Sequence, residues 1–104
     1  MVVMTVVVKV RPEKKEEFLQ AMRSLDPDRE NQKGLRKSAL CQENNNQTRF
    51  RLIHEWETQE DLDRYLGAEE FRVLVGALTV LCEESEIRCS HAFSDRRSIP
   101  LLKE

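Results

Sequence analysis

The chain has 104 residues, enough for one domain around one core. Hydrophobic residues make up 39% and charged residues 35%, with a formal net charge of −2. That balance excludes a disordered or membrane-spanning chain and carries no basic excess to hold nucleic acid.

Val2 to Val10 is rich in β-branched residues and apolar on both side-chain parities. A strand of that kind is covered on both faces and lies centrally in its sheet. The run does not read as a signal peptide, because no basic segment precedes it and no small-residue cleavage site follows. Pro12 sits where the first turn of a helix tolerates it. From Glu13 to Leu25, Phe18, Ala21, Met22 and Leu25 follow helical spacing, and the opposite face is charged. Asp26-Pro27-Asp28 stops this helix, and a polar loop follows as far as Gly34.

Leu35 to Glu43 and Arg49 to Trp56 flank Asn44-Asn45-Asn46-Gln47 and read as a hairpin. In the second strand Phe50, Leu52, His54 and Trp56 share one face. Arg49, Arg51, Ile53 and Glu55 take the other. Thr58 with Asp61 opens a short capped helix that Gly67 breaks. Glu69 to Leu81 carries an apolar stripe of Phe71, Leu74, Val75, Leu78 and Leu81 and reads as a deeply packed helix. Glu86 to Phe93 alternates, with Ile87, Cys89, His91 and Phe93 on one parity. Residues 94–104 form a polar tail with the apolar patch Ile99-Pro100-Leu101-Leu102, expected to reach over its own subunit or a partner.

The order predicts an α+β domain over residues 1–93, of ferredoxin-like βαββαβ type with a four-stranded antiparallel sheet. Helices cover one face of such a sheet. The doubly apolar first strand needs the other face covered too, and a second copy of the chain would cover it by two-fold packing. The expected partner is therefore the chain itself, with no nucleic acid and no membrane. Cys41, Cys82 and Cys89 are odd in number and show no CxxC spacing. They fit a reducing, cytoplasmic setting better than a disulfide framework or a zinc site. They are read as small core residues.

Two histidines, His54 and His91, each lie on the more apolar parity of a strand, and either could serve as a base near neutral pH. A core histidine bonded to backbone is the plainer reading of each. Trp56 and Tyr65 could line a pocket or simply pack. Arg49, Arg51 and Arg88 read as a solvated or dimer-rim face, and Glu83, Glu84 and Glu86 as a solvated strand entry. No nucleophile motif, phosphate-cradling loop or dinucleotide fingerprint occurs. No cofactor and no metal is therefore expected.

The run FRLIHEWETQEDLDRYLGAEEF, from Phe50 to Phe71, resembles the antibiotic biosynthesis monooxygenase (ABM) family, with its acidic-Trp strand end at Glu55-Trp56 and a capped helix after it. The opening VVVKVRPEKKEEFLQAM resembles the first strand and helix of that family. The resemblance implies a dimeric α+β barrel. It also implies a cofactor-independent monooxygenase of small aromatic, quinol- or anthrone-like molecules. Such chemistry needs a dry pocket and a group that takes the phenolic proton. The sequence departs from the family at three positions: Tyr65 and Glu70 stand where many members carry histidine, and Leu52 where aromatic oxygenases carry an amide. Val75 stands where haem-degrading relatives carry their ligand. The residues themselves place the expected site between the sheet and the helical layer, since His54 and Trp56 share a strand face and Tyr65 and Phe71 flank the break at Gly67. His54, Trp56 and Tyr65 are the expected catalytic residues and Leu52, Phe71 and His91 the expected substrate-binding residues, with His54 as the leading proton acceptor and His91 next. The other reading is a dimer of the same fold that binds a small molecule or serves a structural role without catalysis.

Overall fold

The computed structural model describes residues 1–26 and 32–91. Strand β1 spans Val2–Val10 and helix α1 Lys15–Leu25, after a single 3-10 turn at Pro12–Lys14. Strands β2 (Leu35–Gln42) and β3 (Arg49–Trp56) follow. Helices α2 (Gln59–Leu66) and α3 (Glu69–Leu81) lead into β4 (Cys82–His91). The result is an α+β fold of ferredoxin-like order. Its four strands form one antiparallel sheet in the order β2-β3-β1-β4, with β1 and β3 central.

The alternation of β1 sets the two faces. Val2, Met4, Val6, Val8 and Val10 are buried beneath the helices, while Val3, Thr5, Val7 and Lys9 are half-buried on the opposite face. Register carries the same division to β3, where Met4 stands opposite His54 and Val8 opposite Phe50. Phe18 and Met22 of α1 and Leu74, Leu78 and Leu81 of α3 press onto this inner face. The Phe18 and Phe50 rings lie 5.1 Å apart. Fully burying side chains of this size is worth about 1.5–3 kcal/mol each, which holds the helical layer in place.

The β2–β3 hairpin turns on Asn44 and Asn45, both in the left-handed region at φ 39° and 61°. The Asn46 amide donates to the Glu43 carbonyl across them at 2.6 Å. Two successive left-handed residues give the turn whose twist suits a hairpin, and asparagine tolerates that conformation.

Three expectations need correction. Helix α3 is not deeply packed: Leu74, Leu78 and Leu81 are buried, but Val73, Val75 and Val80 are exposed, so only one stripe meets the sheet. Strand β4 begins at Cys82 rather than Glu86, because α3 passes into it with no intervening loop. The acidic run Glu83, Glu84 and Glu86 is thus part of an exposed edge strand, not the entry to one. The cysteines are not all core residues: Cys82 is buried, whereas Cys41 and Cys89 are exposed. Phe93 and the tail 94–104, with its expected packing, lie outside the described residues.

Candidate functional site

The inner face of β3 ends in Phe50, Leu52, His54 and Trp56, and the chain then reverses through Thr58 into α2. Thr58 caps that helix, its Oγ1 accepting from the Asp61 amide at 3.1 Å. The same hydroxyl donates to the Asp61 carboxylate at 2.9 Å. Arg64 beside that carboxylate, and then the Thr58 hydroxyl, hold the Asp61 carboxyl below its usual range. This fixed start aims Leu62 and Tyr65 of α2 back at the end of β3, where both are buried.

Four rings meet there. His54 lies 6.0 Å from Trp56 and 5.4 Å from Tyr65, centroid to centroid, both edge-on. Trp56 and Tyr65 are 5.1 Å apart, and Tyr65 and Phe71 are 5.5 Å apart. His54 and Trp56 are 0% and 1% exposed. Neither ring nitrogen of His54 nor Nε1 of Trp56 has a hydrogen-bond partner among the described residues. Leaving a buried polar group unpaired costs about 1–3 kcal/mol, so three such atoms side by side demand an explanation.

Burial drives the His54 pKa down from 6.5 to about 4, against the opposing pull of the Asp26 carboxylate. The ring is therefore neutral at pH 7, with one nitrogen lone pair open to accept a proton. Tyr65 is pushed the other way, to about 12, first by burial and then by Glu70 and Asp26. Its phenol stays protonated and can only donate or accept a hydrogen bond, never act as a neutral-pH base.

Beside the rings a cleft of about 140 Å³ opens between the end of α1 and the β2–β3 hairpin. Met22, Arg23, Asp26, Ser38, Ala39, Leu40 and Leu52 line it. Ser38 stands opposite His54 in the β2–β3 register, and its hydroxyl donates to Asp26 Oδ1 at 2.7 Å. Leu52 precedes His54 on the same face of β3, so the cleft ends against the imidazole's neighbours rather than against the imidazole itself.

The structure thus brings together His54, Trp56, Tyr65 and Phe71, and sets Leu52 in the wall of the adjoining cleft. It does not bring His91 to them. His91 shares their face, but β1 stands between: Val2 pairs with Trp56 on one side and His91 on the other, and His91 is exposed at the sheet edge. An apolar parity on an edge strand gives no burial when the helices stop short of it. Sequence reasoning misses Asp26 and Ser38 as site residues. Asp26 reads as a helix stop, which it also is. Ser38 is within reach of the pattern, since a hairpin pairing Glu43 with Arg49 places 38 opposite 54.

The described residues contain no group of three or more His, Cys, Asp or Glu side chains arranged to hold a metal ion. No helix among them is long and apolar enough to cross a membrane.

No curated protein matches the sequence. Solved structures share its fold at low identity. A conserved protein from Methanosarcina mazei Go1 is 22% identical with a TM-score of 0.80, covering 88% of this chain and 92% of its own. A structure described as an antibiotic biosynthesis monooxygenase is 19% identical with a TM-score of 0.77, covering 89% and 99%. A protein from Deinococcus radiodurans, provisionally named an antibiotic biosynthesis monooxygenase, is 13% identical with a TM-score of 0.83, covering 93% and 97%. The family model described as antibiotic biosynthesis monooxygenase matches residues 1–77, which takes in β1, the hairpin, α2 and the ring cluster. With that match over most of its length, the chain belongs to the antibiotic biosynthesis monooxygenase family.

Proposed function

We propose that the protein is a cofactor-independent monooxygenase of a small aromatic molecule of the quinol or anthrone kind, working as a homodimer. The observation that carries this reading is the buried, neutral His54 with no partner among the described residues, next to an equally unpartnered Trp56 Nε1. A phenolic ligand would supply what both lack: a proton for the imidazole and an oxygen for the indole N–H. The phenol gives its proton to His54, and the resulting phenolate is electron-rich enough to pass an electron to O2. Recombination forms a carbon–oxygen bond, and loss of water leaves the oxidised ring. For a simple quinol the balance is quinol plus O2 to hydroxyquinone plus water, four electrons passing from the ring to O2. Tyr65, held protonated, can orient the developing anion by donating its hydroxyl hydrogen.

Because His54 is fully covered, substrate must part Leu52 and Ser38 to reach it. The same observation supports the second reading, a dimer that binds or scaffolds without chemistry, in which the rings are simply core. The deciding experiment is oxygen uptake with a panel of quinols and anthrones, metals chelated, against the autoxidation rate without protein. Uptake matched one-to-one by oxygenated product establishes the enzyme. A rate no higher than autoxidation with folded protein establishes the other reading.

The homodimer rests on the open sheet face, where Val3, Val7 and Ile53 are half-buried in a single chain. Two exposed cysteines, Cys41 and Cys89, are at ease in a reducing cytoplasm.

A further inference from the structure

We propose that a trough between helix α3 and the edge strand β4 is the docking site for a later segment of the same chain, the apolar run Ile99-Pro100-Leu101-Leu102. No charged residue occurs between Arg72 and Glu83, in a chain with 35% charged residues, so the outer side of α3 is poorly suited to water. Leu74, Leu78 and Leu81 face the sheet. Phe71 lies on one flank of the helix, its ring 5.5 Å from that of Tyr65 and so on the side of α2 and β3. Val73, Ala77 and Val80, at helical spacing, take the opposite flank, which is the side of β4. Val73 and Val80 are 45% and 63% exposed. On β4, Ile87 stands opposite Val6 and Cys89 opposite Met4, on the helix side of the sheet. Met4 and Val6 are fully covered, yet Ile87 is 40% exposed and Cys89 is exposed too. The helical layer therefore ends over β1 and leaves an apolar trough, walled by Val73, Ala77 and Val80 and floored by Ile87 and Cys89.

The occupant is the segment to which the trough's own strand leads. Strand β4 ends at His91, opposite Val2, and the chain continues from there. Ile87 lies about 13 Å back along the strand. Residues 92–98 can span up to about 25 Å, enough to turn and return that far. Ile99 to Leu102 is the one apolar run after Phe93. Pro100 favours an extended path, and at about 3.1 Å per residue the run covers roughly 9 Å. Val73 to Val80 rises about 10 Å along α3, so the lengths match. The charges agree as well. Residues 94–104 carry Arg96, Arg97 and Lys103 against Asp95 and Glu104, while β4 carries Glu83, Glu84 and Glu86 against Arg88. So short a tether gives the chain's own segment a high local concentration relative to any second molecule. The trough is on the helix side of the sheet, so this contact leaves the open sheet face free for a second copy.

The test is methyl NMR of the full chain, mixed from isotope-labelled and unlabelled protein so that contacts within a subunit separate from contacts between subunits. Nuclear Overhauser effects are expected within one subunit, from the methyls of Leu101 and Leu102 to those of Val73, Val80 or Ile87. Amide exchange at Leu101 and Leu102 should be slowed about tenfold or more, the scale that burial of one leucine supplies. Val80→Asp and Leu101→Asp should each return exchange there to free-chain rates, while the amides of β1 and β3 exchange as in wild type. Val80 is largely exposed, so its replacement spares the core. Protection that survives Val80→Asp puts the segment elsewhere and overturns the proposal. Contacts seen only between labelled and unlabelled subunits give the trough to the partner's tail and overturn it as well. So do contacts of Val73 and Val80 with α3 of a second copy, which assign the face to helix-on-helix association. Free-chain exchange at Leu101 and Leu102 in wild type leaves the segment undocked and rules the proposal out.

Discussion

At the scale of single residues, one imidazole dominates the chemistry. His54 has a pKa of about 4 in the folded chain and 6.5 when unfolded. Between those values the unfolded state binds more protons, so folding stability falls as pH drops from 6.5 toward 4 and is fully present above 6.5. One pKa unit is worth about 1.4 kcal/mol, so the loss is on the order of 3 kcal/mol by pH 4. Replacing His54 by Leu should flatten this part of the stability-against-pH curve, measured by urea unfolding at stepped pH. A slope that persists unchanged in the variant would show that other groups carry it. As proton acceptor, His54 should be worth about 10²–10⁴-fold in turnover. His54→Ala in a folded protein should lose that factor, and undiminished oxygen uptake would remove His54 from the mechanism. Cys82 adds no reactivity here, since burial pushes its thiol up to about 11 despite Arg11 nearby.

At the scale of elements, the entry to α2 decides where Tyr65 points. Gly34 stands at φ 85°, and a β-carbon there would overlap the Asp61 carboxyl. The Gly34 carbonyl accepts from the Glu57 amide at 2.8 Å, tying the loop before β2 to the turn after β3. Gly34→Ala should therefore destabilise twice over, through the left-handed backbone and through the displaced Asp61. Thr58→Ala loses the cap and should cost about 1 kcal/mol. A thermal melt of each variant checks both, with the larger drop expected for Gly34→Ala. The cleft wall belongs to β3: Leu52→Ala should enlarge the cleft toward His54 and admit bulkier aromatic ligands, read as a shift in substrate preference toward two- and three-ring molecules.

At the scale of the whole molecule, the chain has more apolar surface than its own helices cover. Val3, Val7, Ala39 and Ile53 form the middle of the open sheet face. Paired charges interleave with them: Arg51, bonded to Glu43 at 2.7 Å, and Glu86, bonded to Arg88 at 3.0 Å, flank Val7 on either side. A second copy packed on this face would cover the half-buried Val3, Val7 and Ile53 together with the ion pairs among them. Light scattering at micromolar concentration should give twice the chain mass, and Val7→Asp at the centre should halve it. A wild-type monomer would overturn the sheet-to-sheet dimer.

What is legible in the residues alone follows from the range of the forces. The alternation of β1, the 3.6-residue stripe of α1, the hairpin and the Thr58 cap are local patterns, and each element stands where its own residues put it. Period-two geometry likewise puts His54 and Trp56 on one face of β3 without any tertiary contact. Burial on an edge strand is not local. His91 has the parity of a core residue, yet it is exposed because the helical layer ends before β4 does. The point where α3 gives way to β4 is hidden too, since Cys82 and its acidic followers suit a strand only once β1 is there to pair with them. The meeting of Asp26 with Ser38, across twelve residues and a loop, depends on how α1 lies across the hairpin. That is a matter of packing Phe18 and Met22 against Phe50 and Leu52, which no single segment specifies. The sequence by itself determined the elements, their order and the faces of the central strands; tertiary packing alone decided which of those faces are covered and which polar groups stand beside His54.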